Sequence, residues 1–124
     1  MSCNGIEKTG VQPVADEIEE SIVEGGSIAT IAADAKTTIL TYTNTSGILY
    51  LDGYAGTGSV DAEYILVIDT VEKIFLRSSE QERNVQMPFP RPIKIAQGSI
   101  IDIKVTHWTS GTADFDATLF GHRR

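Results

Sequence analysis

The chain has 124 residues, 41% hydrophobic and 22% charged, with a formal net charge of −7 at pH 7; that is the size of one ordinary domain, with too much apolar content for a wholly disordered chain. The acidic balance opposes nucleic acid and anionic membranes, where binding relies on Lys and Arg, and no apolar run approaches the ~20 residues of a membrane-spanning helix. Cys3 is the only cysteine, which excludes an intrachain disulfide and a cysteine-built zinc site.

The charge is uneven along the chain. Residues 1–26 hold six acidic residues and one lysine, a net of −5, and residues 27–124 hold eleven acidic and nine basic residues, a net of −2. The opening Met1-Ser2-Cys3-Asn4-Gly5 has neither a basic start nor an apolar stretch, so no secretory signal is expected. Residues 1–26 therefore read as an acidic arm closed by Gly25-Gly26. Within it, residues 16–24 suggest a short helix whose narrow apolar stripe is Ile18, Ile22 and Val23. Nine residues are too few for a stable isolated helix, so the arm is expected to order only against a partner, through Ile18, Ile22 and Val23.

After Gly26 the apolar period changes to two. Residues 27–31 suggest a short first strand, and residues 37–44 are rich in the β-branched and aromatic side chains that suit a pleated surface. Asn44-Thr45-Ser46-Gly47 marks a turn, residues 48–54 the returning strand, and residues 52–59 a glycine-rich loop that carries Tyr54. Residues 62–69 alternate with Ala62, Tyr64, Leu66 and Ile68 on one face, while Ile65 and Val67 make the other face apolar too. That predicts a strand buried on both sides. Asp69-Thr70 starts a turn into a strand over 73–77, and residues 78–83 form a polar loop.

Residues 85–89 predict another strand. Pro88, Pro90 and Pro92 follow at every second position, which places this stretch at a sheet edge or in a crossing, because proline lacks the N–H that a central ladder needs. A short strand over 92–95 leads to a turn at Gln97-Gly98-Ser99. Ile101, Ile103, Val105 and His107 then alternate against Asp102, Lys104, Thr106 and Trp108. After Thr109-Ser110-Gly111-Thr112, Phe115, Ala117 and Leu119 alternate against Asp116, Thr118 and Phe120. Eight or nine short strands with regular turn signals and no internal repeat predict an all-β domain over 27–124. The expected fold is a jelly-roll-like β-sandwich of about eight antiparallel strands behind an extended N-terminal arm.

The chemistry-bearing residues are few. His107 closes a strand on its apolar side and reads as a core or rim histidine, while His122 lies in a terminal segment expected to be exposed. There is no Gly-x-Ser-x-Gly elbow, and residues 53–58 lack the Lys-Ser/Thr ending of a phosphate loop. Asp114 and Asp116 share one strand face about 7 Å apart, which reads as a solvated face. With Asp52 and Asp61 they form a weaker calcium option. No catalytic residue, metal or cofactor is expected, and the chain reads as a non-enzyme. Trp108, and Tyr54 in its loop, are the aromatics best placed to stack on a sugar or anchor an interface.

The run Pro92-Ile93-Lys94-Ile95-Ala96-Gln97-Gly98-Ser99-Ile100-Ile101-Asp102-Ile103-Lys104-Val105, followed by a hairpin ending in Phe115-Asp116-Ala117-Thr118-Leu119-Phe120-Gly121, resembles the closing strands of trimeric jelly rolls of the tumour-necrosis-factor-like architecture. It also resembles the small jelly-roll virion proteins of tailed bacteriophages, of the capsid decoration (cement) or head-fibre type, over residues 27–124. The resemblance implies a non-enzymatic virion structural protein, assembled in the host cytoplasm. It would decorate and stabilise the capsid as a homotrimer in contact with the major capsid protein or another virion protein. The missing cysteine pair suits a reducing compartment. The competing expectation is a glycan- or receptor-binding β-sandwich, either a tail adhesin or a carbohydrate-binding domain, that uses Trp108 or Tyr54.

Overall fold

A computed structural model describes residues 20–123. Among these the chain forms eight strands and no helix: β1 (Glu20–Ala32), β2 (Thr37–Thr43), β3 (Leu49–Gly58), β4 (Glu63–Ile68), β5 (Val71–Arg77), β6 (Val85–Ile95), β7 (Ile100–Thr106) and β8 (Thr112–Arg123). They build two four-stranded antiparallel sheets, the first in the order β1-β8-β3-β6 and the second in the order β2-β7-β4-β5. Strand β1 pairs with β8, β2 with β7, β3 with β6 and β4 with β5. The chain is thus one long antiparallel hairpin of two four-strand arms, rolled so that successive segments fall in alternate sheets. That is the jelly roll, and it matches the fold expected from the strand count.

Period-two patterning fills the space between the sheets. Strand β8 turns Ala113, Phe115, Ala117 and Leu119 inward, β7 contributes Ile101, Ile103 and Val105, and β4 contributes Tyr64 and Leu66, all buried in one core. Ile65 and Val67 point away from that core and are nonetheless buried, so β4 is covered on both faces as its sequence predicts. Opposite them in register stand Lys104 and Phe75, and Asp102 and Glu72.

The helix expected over 16–24 does not form in its described part, because Glu20 to Glu24 belong to β1. They pair with Arg123 to Leu119 of β8, and the ladder continues through Gly25 and Gly26. The backbone of β8 offers partners along its whole length, which outweighs the weak propensity of a nine-residue helix. The change from period 3.6 to period two separates the expected stripe: Ile22 enters the core and Val23 faces solvent, 70% exposed. The boundary expected at residue 26 therefore falls inside β1. Gly26 does not open a linker; a Cβ there would lie 2.1 Å from the carbonyl oxygen of Ile39, so the two sheets approach closely at this point.

Residues 52–58 are strand, not loop, and Tyr54 lies fully buried within β3. The glycines make room for rings. A Cβ on Gly56 would meet the Tyr64 ring at 2.4 Å, and one on Gly58 the Phe115 ring at 2.2 Å. The two strands expected over 85–89 and 92–95 are one edge strand, β6, whose register with β3 breaks between Leu51 and Gly53. Pro90 and Pro92 fall in that break, where no ladder N–H is required. The β4–β5 turn has two residues, Asp69 and Thr70, with φ of 50° and 69°, the left-handed pair that matches strand twist in a tight hairpin.

Candidate binding face on the first sheet

The outer face of the first sheet carries an open groove of about 400 Å³. Register builds it. Asp116 of β8 stands opposite Thr57 of β3, Thr118 stands opposite Ala55, and Ala55 in turn stands opposite Gln86 of β6. Small side chains at the centre, Ala55 and Gly56, leave a low floor. Asn84, Val85 and Gln86 wall one side, and Asp116 and Thr118 wall the other. Two contacts hold the walls. The Ser27 hydroxyl donates to one oxygen of the Asp116 carboxylate, and the Thr57 hydroxyl donates to the side-chain carbonyl of Asn84.

Farther along the same face the character changes. The Phe120 ring lies across Gly53, where a Cβ would come within 2.8 Å of it. Next to it His122 donates from Nδ1 to Asp52 Oδ2 at 2.7 Å and stacks on Tyr50 with ring centroids 5.4 Å apart. His122 was expected in an exposed terminal segment, but it lies inside β8, partly buried, because that strand runs to Arg123. Arg123 closes this end of the sandwich by donating to Asn44 Oδ1 at 2.8 Å, to the Tyr42 hydroxyl at 2.9 Å and to the Ser46 carbonyl at 3.0 Å. Asn44 is fully buried and donates to the carbonyls of Gly47 and Ile95.

The residues singled out from sequence do not converge. Tyr54 is excluded as a platform. Its hydroxyl lies within the sandwich, 2.9 Å from the Tyr64 carbonyl and 3.2 Å from the Ile74 carbonyl, and so ties the first sheet to the second. Burial, and secondarily the charge of Glu63, raise its phenol above the usual range; Tyr64 is raised likewise by burial and then by Asp116. Trp108 lies at the opposite end of the sandwich from Arg123, 45% exposed, with the Arg77 guanidinium 4.4 Å from its ring centroid. One face of the indole is therefore already occupied by a cation–π contact. Ile22 belongs to the core, Val23 lies on the outer face of β1 beside Phe120, and Ile18 lies outside the described residues. His107 is buried, with Nε2 donating to the Ile31 carbonyl at 2.6 Å and its ring against Phe115.

Asp114 and Asp116 do share a face, but each carboxylate serves β1. Asp114 accepts from the Thr30 amide at 3.0 Å and Asp116 accepts from Ser27. Asp52 is engaged by His122. Among the described residues no three His, Cys, Asp or Glu side chains gather as a metal site. None is a helix long and apolar enough to cross a membrane.

Sequence reading did not find the groove. Its only local signal is the polar outward set of β8, Asp116 and Thr118, beside a small outward residue, Ala55. Gln86 and Asn84 join it through strand adjacency alone. No protein-family model matches the chain, and no curated protein matches it significantly.

Proposed function

We propose that this protein is a non-enzymatic structural component of a tailed-bacteriophage virion, a homotrimer that decorates and stabilises the capsid surface after assembly in the host cytoplasm. The observation that carries this reading is the strand order, β1-β8-β3-β6 against β2-β7-β4-β5, an arrangement recurrent in viral capsid proteins. Two features support it. Phe75 stands half-exposed on the outer face of the second sheet, opposite the buried Ile65, and offers apolar surface for a subunit contact. Strand β1 lies at a sheet edge, which leaves its outer side open to contact with the major capsid protein or another virion protein.

Light scattering of the full chain is expected to give the mass of a trimer, and Phe75→Glu to give a monomer with an unchanged β spectrum. Antibody labelling of particles released from producing cells should then place the chain on capsids. Deletion of residues 2–19, which spares Ile22 in the core, should abolish attachment. Absence of the chain from purified particles overturns the reading.

A further inference from the structure

We propose that the groove on the outer face of the first sheet is a binding site for a neutral saccharide. Its volume of about 400 Å³ falls within the range of small-ligand sites. Its lining leaves hydrogen-bonding capacity unused. Among the described residues the Gln86 amide and the Thr118 hydroxyl have no hydrogen-bond partner. Among the described residues Asn84 engages only its carbonyl oxygen, which leaves its NH₂ without a partner there, and Asp116 engages only Oδ1, which leaves Oδ2 likewise. Two amides, a hydroxyl and a carboxylate oxygen thus converge over an apolar floor at Ala55.

This set selects a ligand class by elimination. An apolar ligand would bury those four groups without partners, at a cost for each. An anion would face the Asp116 carboxylate with no cation in the lining to offset it. A metal ion would find one carboxylate, short of the oxygen ligands that calcium requires. An extended peptide adding to the free edge of β6 would meet Pro88, Pro90 and Pro92, which interrupt the row of N–H donors that strand addition needs. A sugar ring presents vicinal hydroxyls that each donate and accept, on a ring whose C–H face can rest on a methyl floor. It matches all four free groups at once. The site is distinct from Trp108, which lies at the loop end beyond β7, and it does not depend on the virion reading.

The test is binding of the full chain to an array of neutral hexose, pentose and N-acetylhexosamine glycans and bacterial O-antigen glycans, with acidic glycans alongside. At least one neutral glycan is expected to bind. Gln86→Ala, which removes a side chain with no hydrogen-bond partner among the described residues, should weaken that binding about tenfold. Ala55→Trp should abolish it by filling the floor, whereas Trp108→Ala should leave it unchanged. Circular dichroism of each variant checks the fold. The proposal is overturned by binding to no glycan, by binding confined to acidic glycans, by binding that survives Gln86→Ala undiminished, or by binding lost in Trp108→Ala. Any of these outcomes leaves the virion reading standing.

Discussion

In the second sheet the central strands β7 and β4 carry branched aliphatics, and β4 carries them on both faces, so Ile65 and Val67 are buried away from the core. In the first sheet the central strands β8 and β3 carry many small residues: Gly53, Ala55, Gly56 and Gly58 on β3, and Ala117 and Gly121 on β8. The two layers form one sandwich but treat their outer surfaces differently. The second sheet covers its outer face with its own side chains. The first leaves a trough there, and the rings of Tyr64 and Phe115 fill the space over its glycines on the inner side. A ligand can reach backbone level only where no side chain has already filled the layer, which is why the groove lies on the first sheet.

Truncation separates the two cases most strongly. Ile65→Ala should cost about 3 kcal/mol in urea unfolding, the range for a buried aliphatic, even though Ile65 lies on the outer face. A cost below about 1 kcal/mol would mean that this face is ordinary surface. The opposite change probes the first sheet. Gly56→Ala places a methyl where the Tyr64 ring already sits, and overpacking of this kind should cost about 2 kcal/mol. Unchanged stability would show that the ring can move aside and that the glycine is not a packing requirement.

The smallest effect lies at the hairpin of the second sheet. Asp69 accepts from the Ile100 amide at 2.9 Å and from the Ser99 hydroxyl at 2.8 Å, and these hydrogen bonds hold its carboxyl below the ordinary value of 3.8. A depressed carboxyl stabilises the fold above its unfolded pKa, and that contribution is lost as pH falls through the lower folded value. The melting temperature of the wild type should therefore decline more steeply than that of Asp69→Asn on acidification below about pH 4. Parallel declines would assign Asp69 no role in acid sensitivity.

Much of the second sheet was legible because its alternation is complete within single strands. Ile101, Ile103 and Val105 against Asp102 and Lys104 need no partner to be recognised, and Ile65 with Val67 announces two-sided burial. The prolines of β6 were equally direct, since a missing N–H marks an edge whatever lies beside it. The first sheet was harder to read. Its glycines at 53, 56 and 58 look like a loop until Tyr64 and Phe115 are placed over them. Ile22 and Val23 look like one helical stripe until β8 supplies a ladder. His122 looks terminal until β8 is seen to extend beneath it to Arg123.

By itself the sequence determined the all-β class, the approximate strand count, the two-sided burial of β4 and the edge position of the proline strand. These follow from side-chain period and backbone donors, which are properties of short segments. Only the tertiary structure decided that β1 begins by Glu20, that Tyr54 is a core residue bridging the sheets, and that Asp116, Thr118, Ala55, Asn84 and Gln86 surround one groove. Those outcomes depend on which strands become neighbours, and the contacts that select neighbours join β1 and β3 to β8, and β6 to β3, across tens of residues, where local periodicity carries no information.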